Sequence, residues 1–200
     1  MNGQQSSAEI LSFHDACHGI PAWAKESPQR HAAGLWWQIE LTHRFNCLLW
    51  DEEDLARRKQ VPDSEIAGNK RAIDGYNQKR NDAIERIDES LLENLAGAGR
   101  KAGARLNSET AGSMVDRLSI LSLKIHHMRL QTLRTDVDLA HLENCAARLA
   151  RFLDQRQDLA GCFDRLLSEA ARGYAWFKVY RQFKMYNDPA LNPAVYGEKR

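Results

Sequence analysis

Neither sign of charge prevails in this chain: 28 lysines and arginines face 27 aspartates and glutamates, for a formal net charge of +1. Without a bulk field, neither nucleic acid nor an anionic lipid surface is an expected partner. Long apolar runs are missing too, and no window approaches the ~20 residues a membrane-spanning helix needs. The opening residues MNGQQSSAEI lack the basic segment and apolar stretch of a secretory signal. The four cysteines, Cys17, Cys47, Cys145 and Cys162, form no CxxC pair, and each falls in a helical pattern. A disulfide framework is not expected, and a reducing cytoplasm is the expected location. GxGxxG, P-loop and GxSxG motifs are absent. Period-two alternation and β-branched clusters are absent as well, which excludes a sheet-based fold.

What remains is helical. Hydrophobic residues make up 43% and charged residues 28% of 200 residues, enough for one globular domain with a sizeable core. Glycine and proline are concentrated at a few breaks. HGIPAWAKESP (18–28) separates a short amphipathic helix, about Ser7 to Cys17, from a long one spanning roughly Arg30 to Lys59. VPDSE (61–65) opens a third helix that runs to about Leu95 and ends in the connector AGAGRKAGARLNS. A fourth helix starts near Ser108, and a fifth occupies about Asp136 to Arg172. The expected fold is an all-α, single-domain bundle of four to five helices. Residues 1–28 form an N-terminal helix and loop, 30–172 the helical core, and 174–200 an extended aromatic tail that docks on it. Prolines at 189 and 193 push their preceding residues out of the helical region. The tail reads either as a structural clasp or as a cover that turns Lys178, Arg181 and Lys184 toward an anionic ligand.

The third helix carries a paradox in NKRAIDGYNQKRNDAIERID (69–88). Ile66, Ile73, Ile84, Ile87, Leu91 and Leu95 share one sector at about 100° per residue, so that side faces the core. Arg80 projects into the same sector, Asn77 borders it, and Asn81, Asp88, Asp74 and Glu85 form a stripe alongside. On the second helix His43, Asn46, Trp50, Glu53, Asp54 and Arg57 share one side. Buried polar groups left unpaired cost on the order of 1–3 kcal/mol each. Two readings follow. The stripes satisfy each other, with Arg57 and Arg80 neutralising Glu53, Asp54 and Asp74. Alternatively they line a pocket, in which His43, Asn46, Trp50, Arg57, Asn77, Arg80, Asn81 and Asp116 bind a ligand. In the pocket reading Glu53, Asp54, Asp74 and Glu85 offer oxygen ligands suited to Mg²⁺ or Mn²⁺. The arginines suit a phosphate, which a guanidinium binds bidentately. Asp116 on the fourth helix is either part of this pocket or locked in an ion pair with Arg117.

Other constellations are weaker. His14 and His18 stand at i, i+4, a zinc-chelating spacing, but no third ligand follows at a recognisable spacing. His126 and His127 point to different sides of their helix. No cysteine is read as a nucleophile.

The stretches FNCLLWDEEDLARR, NKRAIDGYNQKRNDAIERID, ETAGSMVDRLSILSLKIHHM and YRQFKMYNDPALNP, in this order, resemble the bacterial family of domain of unknown function 4254. They span about residues 43 to 193. Position 111 departs from the family pattern, with alanine where a proline is expected. The resemblance implies an all-helical bacterial cytoplasmic protein, encoded near glycosyltransferases of surface-glycan assembly, with no established activity. Three functions are then in play. One is an accessory or ligand-binding protein of glycan biosynthesis, with a sugar nucleotide, a phosphorylated sugar or a glycosyltransferase as partner. Another is a metal-dependent nucleotide or sugar-nucleotide phosphohydrolase. That reading shares the general arrangement of the all-α nucleotide pyrophosphohydrolases, without their ExxE and ExxD spacing. The last is a structural protein with a self-satisfied polar core, and homo-oligomerisation is left open.

Overall fold

The computed structural model describes residues 6–183 and 188–197, with only the backbone at 195 and 196. In chain order the elements are α1 (Ser7–His18), α2 (Trp23–Glu26), α3 (Gly34–Ala56), α4 (Asp63–Asn94), β1 (Arg105–Leu106), α5 (Ala111–Thr132), α6 (Leu139–Ala171), β2 (Ala175–Trp176) and α7 (Pro193–Tyr196). Ser6 and Glu9 close a reciprocal capping box on α1, and Asp138 accepts the His141 amide at the head of α6.

The all-α class is what forms, but the expected helix count and tail are corrected. Six helices precede residue 172, and a short seventh lies in the tail. Helix α2 is a single four-residue turn, too short for hydrophobic periodicity to register. The aromatic cluster gathers near the N-terminus instead of in the tail: Phe13 meets Trp23 at 6.1 Å and Trp36 at 5.9 Å, both edge-on. In the tail Phe177 is buried, but Tyr174, Tyr180 and Phe183 are exposed. Nor is the tail simply extended. Ala175 and Trp176 pair in parallel with Arg105 and Leu106, a two-strand contact that no alternation announces.

Helix α3 begins at Gly34, not Arg30, because a buried carboxylate claims the preceding backbone. Glu40 is fully buried and accepts from the amides of Arg30 and His31, from His31 Nδ1 at 2.9 Å and from Arg44 Nη2 at 3.2 Å. Burial works to raise its pKa, but these donors outweigh it and hold Glu40 below the usual carboxylate value. Arg44 also donates to the carbonyls of Trp23 and Ala24 and lies over the Trp23 ring at 4.5 Å. Two residues four apart on α3 thus pin α2 and the loop behind it.

Helices α3 with α4, and α5 with α6, pack as hairpins, and α5 also touches α1, α3 and α4. Its buried residues therefore spread over more than half of its circumference: Met114, Val115, Leu118, Leu121, Leu123 and Ile125, together with the polar Ser119 and Ser122. The core joins Ile10, Ile39, Ile87 and Leu91 to Phe163, Leu166 and Phe177 across all these helices.

The α4–α5 contact is closest at Gly112. A Cβ there would lie 2.4 Å from the Ile84 carbonyl oxygen and 3.0 Å from the Asp88 carboxyl. Asp88 is buried and accepts the Gly112 amide at 2.6 Å, so it caps α5 from a neighbouring helix. Thr110 is the N-cap proper, accepting the Ser113 amide at 3.1 Å. Ala111 is the first residue of α5, where a missing backbone N–H is harmless, so alanine and proline alike can start the helix there.

Two predictions follow from this joint. Gly112→Ala should destabilise by about 1–3 kcal/mol in urea unfolding, because the Ile84 backbone cannot step aside. Burial, opposed by the hydrogen bonds from Thr110 and the Gly112 amide, pushes the Asp88 carboxyl from its ordinary 3.8 up to about 6. The fold thus retains a proton that the unfolded chain has released. That stabilisation is complete below about pH 4 and lost as pH rises through about 6. Asp88→Asn, which keeps the acceptor and never ionises, should remove this pH dependence, about 3 kcal/mol in all, from the stability–pH curve.

Candidate metal cluster and polar cavity

Where α3, α4 and α5 meet, a cavity of about 400 Å³ opens, lined by Asn46, Trp50, Glu53, Asp54, Arg57, Asn77 and Arg80 with Leu49, Ile120 and Leu123. Seven residues singled out on two helical stripes therefore do share one space. At its base Asn46 donates to Asp116 at 2.8 Å and to Ser119 at 3.0 Å, and accepts from Arg80 Nη1 at 3.3 Å. Asp116 lies 3.8 Å from Arg80 Nε. Burial raises the Asp116 pKa against the opposing pull of Arg80 and Asn46. Arg117, its sequence neighbour, pairs with Glu109 instead. At the mouth Arg57 bonds the Glu53 carbonyl at 2.6 Å and the Glu53 carboxylate at 3.2 Å, with Asp54 at 3.7 Å.

The remaining stripe residues go elsewhere. His43 is fully buried beneath the cavity. Asn81 donates to Gln182 of the tail at 2.9 Å. Glu85 accepts from Arg181 at 2.7 Å and from the Gln182 amide at 2.9 Å, while Glu89 takes the other arm of Arg181. The stripe beside the core is thus partly a clasp for the tail. Arg181 serves that clasp, and Lys178 lies over the Trp176 and Tyr180 rings at 6.0 and 5.6 Å; Lys184 and Tyr186 fall outside the described residues. Asp74 is exposed and pairs with Lys70. The four carboxylates expected to hold Mg²⁺ or Mn²⁺, Glu53, Asp54, Asp74 and Glu85, do not converge.

A different set does. His18, His43 and Cys47 each offer a ligand atom, all within 4.8 Å of one another, the one group of this kind among the described residues. His43 and Cys47 stand at i, i+4 on one face of α3, with Sγ 3.9 Å from Nε2. His18 arrives from α1. His18 and Cys47 line a chamber of about 410 Å³ together with Cys17, Asp51, His126 and His127. His126 stacks on His18 at 4.7 Å, and His127 stacks on Trp50 at 4.4 Å, so the two adjacent histidines of α5 face the same chamber after all.

Outer partners orient the ligand rings. The Ser122 hydroxyl donates to Asp15 at 2.8 Å, so its one proton is spent. His18 Nε2, 3.1 Å from that same hydroxyl oxygen, must then carry the hydrogen of its bond, which leaves Nδ1 with the free lone pair. Arg156 anchors Asp15 at 2.7 and 3.0 Å. His43 Nδ1 lies 2.8 Å from Ser119 Oγ, which leaves Nε2 for the Cys47 side. Such outer-shell hydrogen bonds are what fix tautomer and orientation in metal-ligating histidines.

His14 stacks on His43 at 4.3 Å, is fully buried, and both its ring nitrogens lack a hydrogen-bond partner. Burial above all, then neighbouring His18, pushes its pKa down to about 3. Burial, then His126, lowers His18 to about 4, and burial holds His43 well below its ordinary value. These imidazoles are neutral at pH 7. Burial also raises the Cys47 thiol.

Fold and site together define an all-α bundle with a buried, hydrogen-bonded polar core and a candidate His/His/Cys metal cluster. The chain belongs to the family described as protein of unknown function (DUF4254), matched over residues 36–179. The matched stretch holds His43, Cys47 and the entire cavity lining, while α1 with His14 and His18 precedes it. Neither the curated proteins nor the solved structures provide a match. Among the described residues, no helix is long and apolar enough to cross a membrane.

The cavity's polar base should behave as one unit. Asn46→Ala strips Asp116 of a donor and Arg80 of its acceptor, and should cost about 2–3 kcal/mol in urea unfolding. Asp74→Asn, at an exposed position, should change stability by less than about 0.5 kcal/mol.

Proposed function

We propose that this protein is a metal-binding helical protein. His18 Nδ1, His43 Nε2 and Cys47 Sγ hold a divalent transition metal whose remaining coordination side opens to the α1–α3–α5 chamber. The convergence of these donors within 4.8 Å, drawn from two helices distant in sequence, carries the proposal. Two nitrogens and a sulfur suit zinc better than the Mg²⁺ or Mn²⁺ that an all-carboxylate set would take. Buried His14 supports the reading, since both its ring nitrogens lack a partner next to the cluster. Three protein ligands beside an open chamber leave a coordination position for water or substrate. Metal-assisted hydrolysis is the reaction class that such a site fits.

Chain purified from zinc-supplemented growth medium should carry about one ion per molecule by elemental analysis, matching a single site. Cobalt substitution should add a thiolate charge-transfer absorption. Cys47→Ser should abolish that absorption, and His18→Ala should lower metal affinity by roughly tenfold or more. Metal content that stays near zero, or that is indifferent to both substitutions, would overturn the proposal.

A further inference from the structure

The cavity between α3, α4 and α5 has no part in the metal cluster, yet its hydrogen-bonding inventory is unbalanced. Arg80 carries five N–H donors, and among the described residues a single one is used, at 3.3 Å to Asn46. Its Nε is buried without a hydrogen bond, and the nearest carboxylate oxygen, Asp116 Oδ1, lies 3.8 Å away and already accepts from Asn46. One turn earlier on the same helix, Asn77 is half-buried and has no side-chain partner among the described residues. The acceptors at the mouth, Glu53 and Asp54, are engaged by Arg57. The remaining walls are Leu49, Ile120, Leu123 and the Trp50 ring. Unspent donors thus face an open cleft of about 400 Å³ with apolar walls on one side, a size that suits a small molecule.

We propose that this cavity binds a small molecule bearing a phosphate or carboxylate group, with Arg80 holding the oxyanion and Asn77, one turn away on the same wall, adding a bond to it. A guanidinium with unused N–H groups matches a planar or tetrahedral oxyanion, which accepts two parallel bonds. A cation would meet the Arg80 charge, and an uncharged apolar guest would leave the Arg80 and Asn77 donors unanswered. The site stands apart from the metal cluster: Trp50 and Leu123 form the partition, with His127 stacked on the far side of Trp50. Anion binding here neither requires nor implies a bound metal.

Calorimetric titration of the full-length chain with inorganic phosphate, pyrophosphate and malonate, each alone, tests the proposal. The titrations are run on protein as purified and after chelator treatment. Saturable binding of one equivalent is expected in both preparations, and the preferred probe tells phosphate from carboxylate. Arg80→Gln should weaken that binding roughly tenfold to a hundredfold, the worth of a hydrogen bond to a charged group. Arg80→Lys keeps the charge but loses the fork, and should weaken it too. Arg80 also bonds Asn46, so Asn77→Trp is the second variant. It fills the cavity from a half-buried position outside that hydrogen-bonded network and should abolish binding while the helical circular-dichroism spectrum is retained. The proposal is overturned if none of the three anions binds up to about 10 mM, or if binding is unchanged in Arg80→Gln or Asn77→Trp. It is likewise overturned if binding disappears on chelation, which would assign the anion to the metal.

Discussion

Helix α5 packs against α1, α3, α4 and α6, and every polar group it buries must therefore find its partner inside the bundle. That constraint organises the rest of the molecule. The Gly112 amide is answered by Asp88 from α4, and Asp116 by Asn46 and Arg80. Ser119 and Ser122, both fully buried, are answered by His43 and Asn46, and by His18 and Asp15. Since an unanswered buried group costs on the order of 1–3 kcal/mol, these side chains are held as firmly as the apolar core around them. The candidate metal cluster and the polar cavity both hang from α5 for this reason.

The two sites lie on opposite sides of the Trp50–Leu123 partition and share a single hydrogen-bonded thread. His43, Ser119, Asn46, Asp116 and Arg80 run from one to the other without leaving the interior. A candidate metal ligand at one end and an unspent guanidinium at the other are joined through the same buried hydroxyl. The tail serves a different purpose. Arg181 and Gln182 clamp Glu85, Glu89 and Asn81, so the outer part of the α4 stripe stabilises the way the chain closes on itself.

Much of this was legible in the sequence, and the misses have physical reasons. Helix breaks at glycine and proline, and the stripe of Asn46, Trp50, Glu53, Asp54 and Arg57 against Asn77 and Arg80, follow from periodicity alone. Periodicity gives the face of a helix but not which neighbour covers it. Asn81, Glu85 and Asp88 therefore looked like pocket residues, although they meet the tail and the head of α5. The candidate metal cluster went unread because its residues are split: His43 and Cys47 show the i, i+4 signal, but His18 lies 25 residues upstream and is joined to them only by tertiary packing. The His14–His18 pair drew attention on spacing, yet only His18 reaches the cluster. Glu40 and Arg44 form another i, i+4 pair, and nothing in the sequence said that the partners would be the backbone of a preceding loop.

If the buried serines of α5 set the ligand rings, the tautomers must already be fixed before any metal arrives. A long-range proton–nitrogen correlation spectrum of the metal-free protein at neutral pH reads them directly. The structure predicts His18 protonated on Nε2, with Nδ1 unprotonated. His18 carrying its proton on Nδ1, or exchanging between both forms, would contradict the account.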